Sequence, residues 1–511
     1  MSGRINNVIR NMGFGMMLRL FQTIVPFLMR TALIYYLGIQ YVGLNGLFVS
    51  VLQILNFAEL GISSAMNYAM YKPIAENDRG KICALLHQYK KYYFYIGTII
   101  LILGIALIPL LPYIVNKDIP ADVNIYVLYV VHLTPNILSY WLYGYRCGLL
   151  EAHQRVDIAN KIFLVSDSIK YVLQLIALMV FRSYYLYIGI HLLQQIVGQF
   201  VLNHYVKKYY PDYIPAGEIS VEEKATIKQR VKDIITAKLG GVVLNSSDTV
   251  VISAFLGLSV LAIYQNYFML VSTVCSFIGV CMSGAMASIG NSIMLDSKEK
   301  VYKDFTNILF MLSWVVCVCT CCFLCLFQPF MELWVGKELM LPFSIVILLC
   351  IYFYLYEFNL LFNVYKDAAG LWHEDKLRPL ITSLTNLGLN LIMVRFVGLY
   401  GVILSTVLSM LFVGMPWLLR NVFTHLFKRN IGDFLKRLFG YLCITIICCI
   451  ATYVLCSVIH VTPVIGLFLK LIIALAIPSV IYLMIFRKTE EFHKMCEIVV
   501  GILGKFLKKR K

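Results

Sequence analysis

Two arginines, Arg19 and Arg30, lie inside the first long apolar segment of this chain, 14–37. Placing an arginine in hydrocarbon costs at least about 2.5 to 3.5 kcal/mol on insertion scales, so each needs a polar partner. Their spacing is close to three helical turns, which puts both guanidinium groups on one stripe of a helix, with Gln22 and Pro26 between them. A structural reading has Arg19 snorkelling to the nearby interface and Arg30 pairing with a carboxylate. The chemical reading is a cationic wall that receives an anionic group.

Other polar residues recur inside apolar segments with helical spacing. The second span carries Asn56, Glu59, Ser63 and Asn67, the fifth Asp167, Lys170 and Gln174, and the seventh Lys238, Asn245 and Asp248. The tenth adds Tyr352, Tyr356, Asn359 and Asn363 beside Glu357, and the eleventh Thr382, Asn386 and Asn390. Amides, hydroxyls and tyrosines on shared faces outline a wet interior suited to carbohydrate. The acids within spans are Glu59, Asp167, Asp248 and Glu357; the cations are Arg19, Arg30, Lys170, Lys238, Arg395 and Lys470. Arg395 and Lys470 sit near outer span ends and can snorkel, and Lys170 is spaced to pair with Asp167. No acid shares a helix with Arg19 and Arg30. A substrate-binding set of Arg19, Arg30, Lys170 and Lys238 is therefore expected, with Glu59, Asp167, Asn245, Asp248, Glu357, Asn359, Asn363, Asn386 and Asn390 as polar or ion-coupling groups.

Catalytic patterns are missing. The Gly-Lys pairs at 80, 336 and 504 are not followed by Ser or Thr, so there is no Walker A loop, and His373-Glu374 is followed by Leu at 377, not by the second histidine of a metalloprotease. No D-x-D pair is present to hold a metal-bound nucleotide sugar. Cys317, Cys319, Cys321, Cys322 and Cys325 point in several directions on a helix and read as small buried side chains, so no metal site is expected. The chain reads as a non-enzyme without a cofactor, apart from a coupling ion, H+ or Na+.

The elements that must position these residues follow from composition. With 60% hydrophobic and only 14% charged residues among 511, polar surface cannot cover the apolar interior in water. The chain is expected to be an all-α polytopic membrane protein with fourteen spans of roughly 20 residues or more, among them 14–37, 44–69 and 235–256. The first span is too long and too charged for a cleaved signal peptide. With the N-terminus inside, only Lys117, Arg182 and Lys337 of the 44 Lys and Arg fall in outer loops, and apart from the six within spans all others are inner, which also brings the C-terminus inside. The net charge of +17 is thus accounted for by topology and anionic lipid, not nucleic acid.

Ser220 and Glu223 form a capping box, and Val221, Val231, Ile234 and Ile235 give the next segment an apolar face, which predicts an amphipathic helix along the inner membrane surface. Phe492, Met495, Val499, Ile502 and Phe506 predict a second one in the basic tail. Tyr36-Leu37-Gly38-Ile39 is echoed by Phe255-Leu256-Gly257-Leu258, each leading into another long span. Two lobes with the same orientation follow: helices 1–6 in 1–206, a linker at 207–234, helices 7–12 in 235–420, helices 13–14 in 438–486, and a cytoplasmic tail at 487–511.

The cationic first span, the Glu59-Leu60-Gly61-Ile62 turn, the Asn245 to Asp248 stretch and the Asn386 to Gly401 segment (N-L-G-L-N-L-I-M-V-R-F-V-G-L-Y-G) resemble oligosaccharide flippases of the Wzx type. Those belong to the multidrug/oligosaccharidyl-lipid/polysaccharide (MOP) exporter superfamily. The resemblance implies two six-helix lobes around a central cavity, alternating access, and flipping of a polyprenyl-pyrophosphate-linked oligosaccharide across the bacterial cytoplasmic membrane. Its implied partners are that lipid-linked cargo, membrane lipids and polysaccharide-assembly machinery. It also assigns Arg19 and Arg30 to the cavity lining and the last two helices to a groove for the lipid tail. Two alternatives remain open: a multidrug or organic-cation antiporter of the same superfamily, which would favour an acidic cavity, and a membrane polysaccharide polymerase, which would need a larger outer loop than 328–341.

Overall fold

The computed structural model describes residues 21–59, 61–459 and 461–497, with only the backbone described at 57, 58, 233, 236–245 and 287. Arg19 and residues 498–511 of the basic tail lie outside the described residues, as do the side chains of Lys238 and Asn245. Helices account for the architecture, and the chain divides into two compact units, Met1–Ala262 and Ile263–Lys511.

Unit one begins with α1 (21–36) and α2 (Ile39–Leu55), followed by α3 (Ile62–Glu76) and α4 (Arg79–Ile114). Then come α5 (Ile125–Trp141) and α6 (Tyr145–Ala152), bent by 53° at their junction, α7 (Val156–Phe181), α8 (Tyr184–Tyr209) and α9 (Val221–Leu256). The helix α10 (Leu258–Leu295) leads into unit two, which holds α11 (Lys298–Val335), α12 (Phe343–Ala368), α13 (Trp372–Val397), α14 (Leu399–Phe427), α15 (Gly432–Ser457) and α16 (Pro463–Phe486).

Among the described residues, ten helices are long and apolar enough to cross a membrane, or eleven if the bent pair α5–α6 is one span. The other expected spans fall on three special segments. Only residues 21–36 of the first are described. The second is broken between α2 and α3 by a 3-10 turn, Asn56–Glu59, where a β-carbon on the following Gly61 would lie 2.8 Å from the Val231 carbonyl oxygen of α9. The seventh is the second half of α9. In place of an inner-surface linker helix followed by a separate span, the structure has one continuous helix, capped by the Ser220–Glu223 box. Gly240 and Gly241 weaken a helix without stopping it.

The echoed tetrapeptides share a backbone geometry. Gly38, between α1 and α2, has φ 117° and ψ 168°, and Gly257, between α9 and α10, has φ 100° and ψ 170°. Both lie where side chains strain the chain, which explains glycine at each hairpin. The second hairpin meets the first at Gly43 of α2: a β-carbon there would be 2.2 Å from the carbonyl oxygen of Leu258.

In unit two the core is aromatic. Phe305 of α11 lies 4.8 Å from Phe427 and 5.7 Å from Phe434, ring centre to ring centre, and 4.9 Å from Tyr365 of α12. Such rings bury large apolar areas in fixed relative orientations. Among the described tail residues, 490–497 are helical, and Glu490 and Glu491 pair with Lys303 of α11 and Arg437 of α15.

Candidate functional site: polar groups inside the two helical units

In unit one, Arg30 sits two-thirds along α1, half-buried, and donates from Nη2 to the Ala262 carbonyl at 3.2 Å. Lys170 is different. Its Nζ lies 2.9 Å from Asp167 Oδ1 on α7 and 4.1 Å from the centre of the Tyr171 ring, so the two charges neutralise each other locally. Gln174, one turn on, is buried and donates to the Tyr187 carbonyl at 2.9 Å.

Glu59 lies in the 3-10 turn that breaks the second span. Its Oε1 accepts from Tyr93 Oη at 3.2 Å, Tyr93 Oη is 3.3 Å from Tyr89 Oη, and the Tyr140 ring is 5.3 Å from that of Tyr93. A second carboxylate, Glu151 of α6, accepts a hydrogen bond from Asn67. Asn56 donates to Asn136 of α5 at 3.3 Å. A cluster of buried tyrosines, Tyr89, Tyr93 and Tyr140, therefore lies inside this unit beside the half-buried Glu59, while Glu151 meets Asn67 from the exposed side. Asp248 of α9 is half-buried.

In unit two, Glu357 of α12 is fully buried, no N–H or O–H among the described residues donates to its carboxylate, and the weakly donating Cys275 thiol lies alongside. The side-chain oxygen of Asn359 is likewise buried without a partner. Asn363 points into a different arrangement: its Oδ1 accepts from Arg378 Nη2 at 2.8 Å, and Arg378 grips both oxygens of the buried Asp375 at 2.6 and 2.7 Å. Lys366 approaches the same carboxylate at 3.4 Å, and Asn421 of α14 donates to it at 3.2 Å. Asn386 and Asn390 are fully buried between α13 and α14, where Asn386 donates to Thr406 at 2.8 Å and Asn390 accepts from Ser405. They join two helices where the sequence suggested a cavity wall. Interhelical amides of this kind contribute about 0.6 kcal/mol each in membranes.

An apolar groove of about 880 Å³ opens on unit two. Its walls come from α12, α14 and α15, including Ile347, Ile351, Leu411, Leu438, Leu442 and Ile446. Beside it, Cys321 of α11 and Cys449 of α15 lie with their sulfurs 3.7 Å apart.

Sequence reasoning missed Glu151, the Asp375–Arg378 pair and Arg146, which is 5% exposed. All three lie near helix ends, where a charge ordinarily meets solvent, and nothing local reports that the fold buries Asp375, Arg378 and Arg146 or sets Glu151 against Asn67.

Solved structures share the fold. The lipid II flippase MurJ in an inward closed conformation matches with TM-score 0.66 and 14% identity over 93% of this chain and 99% of its own. A multidrug-resistance MATE family transporter of the MOP superfamily, inward-facing, matches with TM-score 0.64 and 14% identity over 79% of this chain and 94% of its own. A MOP superfamily transporter from Pyrococcus furiosus, described as having a binding pocket of reverse polarity, gives TM-score 0.54 and 14% identity over 83% of this chain and 96% of its own. No curated protein matches by sequence. The chain thus has the MOP-superfamily fold and is a multi-pass membrane protein. The profile of the polysaccharide biosynthesis protein family matches residues 8–287, more than half of the sequence, and the chain belongs to that family.

Proposed function

We propose that this protein flips a polyprenyl-pyrophosphate-linked oligosaccharide from the inner to the outer leaflet of the bacterial cytoplasmic membrane by alternating access, for surface polysaccharide assembly. The observation that carries this reading is the groove on unit two. A cleft of about 880 Å³ walled by leucine, isoleucine and phenylalanine suits a long hydrocarbon chain and offers a hydrophilic solute nothing. Arg30 supplies what the other end of such a cargo needs, a forked cation that matches phosphate oxygens. The tyrosines and amides of unit one suit the sugars. The likeness to the lipid II flippase over 93% of the chain supports the same reading.

Glu357 is proposed as the ion-coupling acid. A buried carboxylate met by a single thiol and by no N–H or O–H donor among the described residues is an arrangement that a proton or Na+ would satisfy. Purified protein in vesicles is expected to move a fluorescent lipid-linked oligosaccharide between leaflets without ATP, and Arg30→Ala to slow this at least tenfold while inserting normally. Equal rates for the two proteins would remove the reading.

A further inference from the structure

Unit one carries a second polar site, on the face where the cation-rich segments emerge. A cavity of about 570 Å³ is lined by Lys90, Arg146, Lys207, Tyr143, Tyr145, Tyr210 and their neighbours up to Pro215. It is built at three helix ends: the start of α4, the bend between α5 and α6, and the end of α8. Arg146 is the unusual member. It is 5% exposed, its Nε has no hydrogen-bond partner, and its guanidinium lies 5.7 Å from the centre of the Tyr145 ring. Burying a cation is costly unless an anion offsets it, yet no lining residue is acidic and the acids that neighbour the lining segments in sequence have other partners. Asp212 pairs with Arg79 at 3.0 Å, Glu218 with Lys224 at 3.1 Å, Asp157 with Arg155 at 3.0 Å, and Glu151 accepts from Asn67. The aromatic wall is held firmly: Tyr210 and Tyr213 stack at 5.8 Å and both rings face His153, at 4.5 and 5.4 Å.

Three cations with no acid in the lining, one of them buried, describe a receptor for a compact anion. Tyrosine hydroxyls and ring faces around them describe a neighbouring polyol or carbohydrate. We infer that this pocket binds a phosphate-bearing headgroup at the inner membrane surface, with the phosphate on Arg146, Lys90 and Lys207 and its hydroxylated substituent against the tyrosines. The position at the ends of membrane-spanning helices gives access both to lipid headgroups and to soluble phosphate esters. The chemistry is shared, so the test must separate the sources. The site does not depend on the transport reading, since its lining includes neither Arg30 nor any residue of the groove and its readout is binding.

The experiment uses the full chain in detergent, with native mass spectrometry to count phosphatidylglycerol against phosphatidylcholine adducts and calorimetry to titrate inorganic pyrophosphate. One saturable site is expected. Lys90 and Lys207 are exposed and safe to change, so the double variant Lys90→Gln/Lys207→Gln should keep its thermal stability and weaken binding at least fivefold. Arg146→Gln should abolish it, Arg146→Lys should restore part of it, and Arg30→Ala should leave it unchanged. Phosphatidylglycerol adducts that pyrophosphate does not displace would assign a lipid headgroup; pyrophosphate binding without preference for the anionic lipid would assign a soluble ester. Saturable binding of neither probe, or wild-type binding of both by the double variant, would overturn the inference. So would loss in Arg30→Ala alone.

Discussion

Arg30 and Lys170 show how differently two intramembrane cations of one chain can be employed. Lys170 has its counter-charge 2.9 Å away on its own helix, and Arg30 donates to the Ala262 backbone carbonyl. In the proposed cycle Arg30→Lys should keep part of the transport rate that Arg30→Ala loses, because an ammonium still pairs with pyrophosphate but drops the bidentate geometry. Hydrogen bonds to charged groups are worth roughly 1.5 to 3 kcal/mol, so the alanine variant should be about 10- to 100-fold slower. Glu357→Gln keeps the shape of the side chain. It should preserve folding and basal flipping, yet abolish the response to an ion gradient in vesicles; an undiminished response would acquit Glu357. The sequence displayed these charges and their spacing, which fixes the face of a helix a residue occupies. It did not display what that face meets, so Asn386 and Asn390 read as cavity amides when they are an interhelical ladder. Arg146, Lys90 and Lys207 were unreadable as a group, since each alone is an ordinary inner-surface cation.

Among the elements, hairpin packing is the most exacting feature. Gly43 lets α2 approach the start of α10 so closely that a methyl group would overlap the Leu258 carbonyl. A backbone oxygen cannot swing aside, so Gly43→Ala should cost about 1 to 3 kcal/mol of stability and appear as lower thermal stability or expression, whereas Gly279→Ala, which meets no atom within 4 Å, should not. The start of α9 responds to acid. The Lys81 hydrogen bond holds the Glu223 carboxyl below its ordinary range near 4.5, and the Lys224 ammonium does the same for Glu218. A carboxyl with a depressed folded-state value stabilises the fold above its unfolded value and loses that contribution as pH falls through the depressed one. Protection of the first turns of α9 against amide exchange, corrected for intrinsic rates, should therefore fall as pH drops below about 4.5, and Glu223→Gln should flatten that dependence. The capping box was legible because a cap is a local contact. That it opens a helix running on to Leu256 was not, since the polar stretch from 220 to 232 and the apolar one after 246 look like different elements.

At the scale of the molecule, the cargo proposed above carries a charge of its own across the membrane. A pyrophosphate carries about two negative charges, and each charge crossing the membrane is worth roughly 2.3 kcal/mol per 100 mV. With the interior negative, outward movement of the headgroup gains about 4 to 5 kcal/mol per 100 mV if no other charge moves. Flipping in vesicles should thus accelerate when an imposed potential makes the cargo's starting side negative; indifference to potential together with a need for ATP would refute ion-driven flipping. Membrane class and all-helical fold were plain in composition because hydropathy is a sum over many residues. Span boundaries were less so, because the break at Asn56–Glu59 and the fused α9 depend on how helices abut.

The fused helix has a mechanical consequence. At 1.5 Å per residue its 36 residues reach about 54 Å, which exceeds a hydrocarbon layer of about 30 Å by some two dozen ångströms and leaves a helical arm of about that length for a helix that crosses upright. A lever pivoted at mid-membrane amplifies: a tilt of about 10° would sweep its capped tip through about 7 Å. The tip is moored to α4 by Lys81 and Glu223. A swing of that size must either drag α4 along or cast off that mooring, which makes one exposed ion pair a latch on the stroke of the arm.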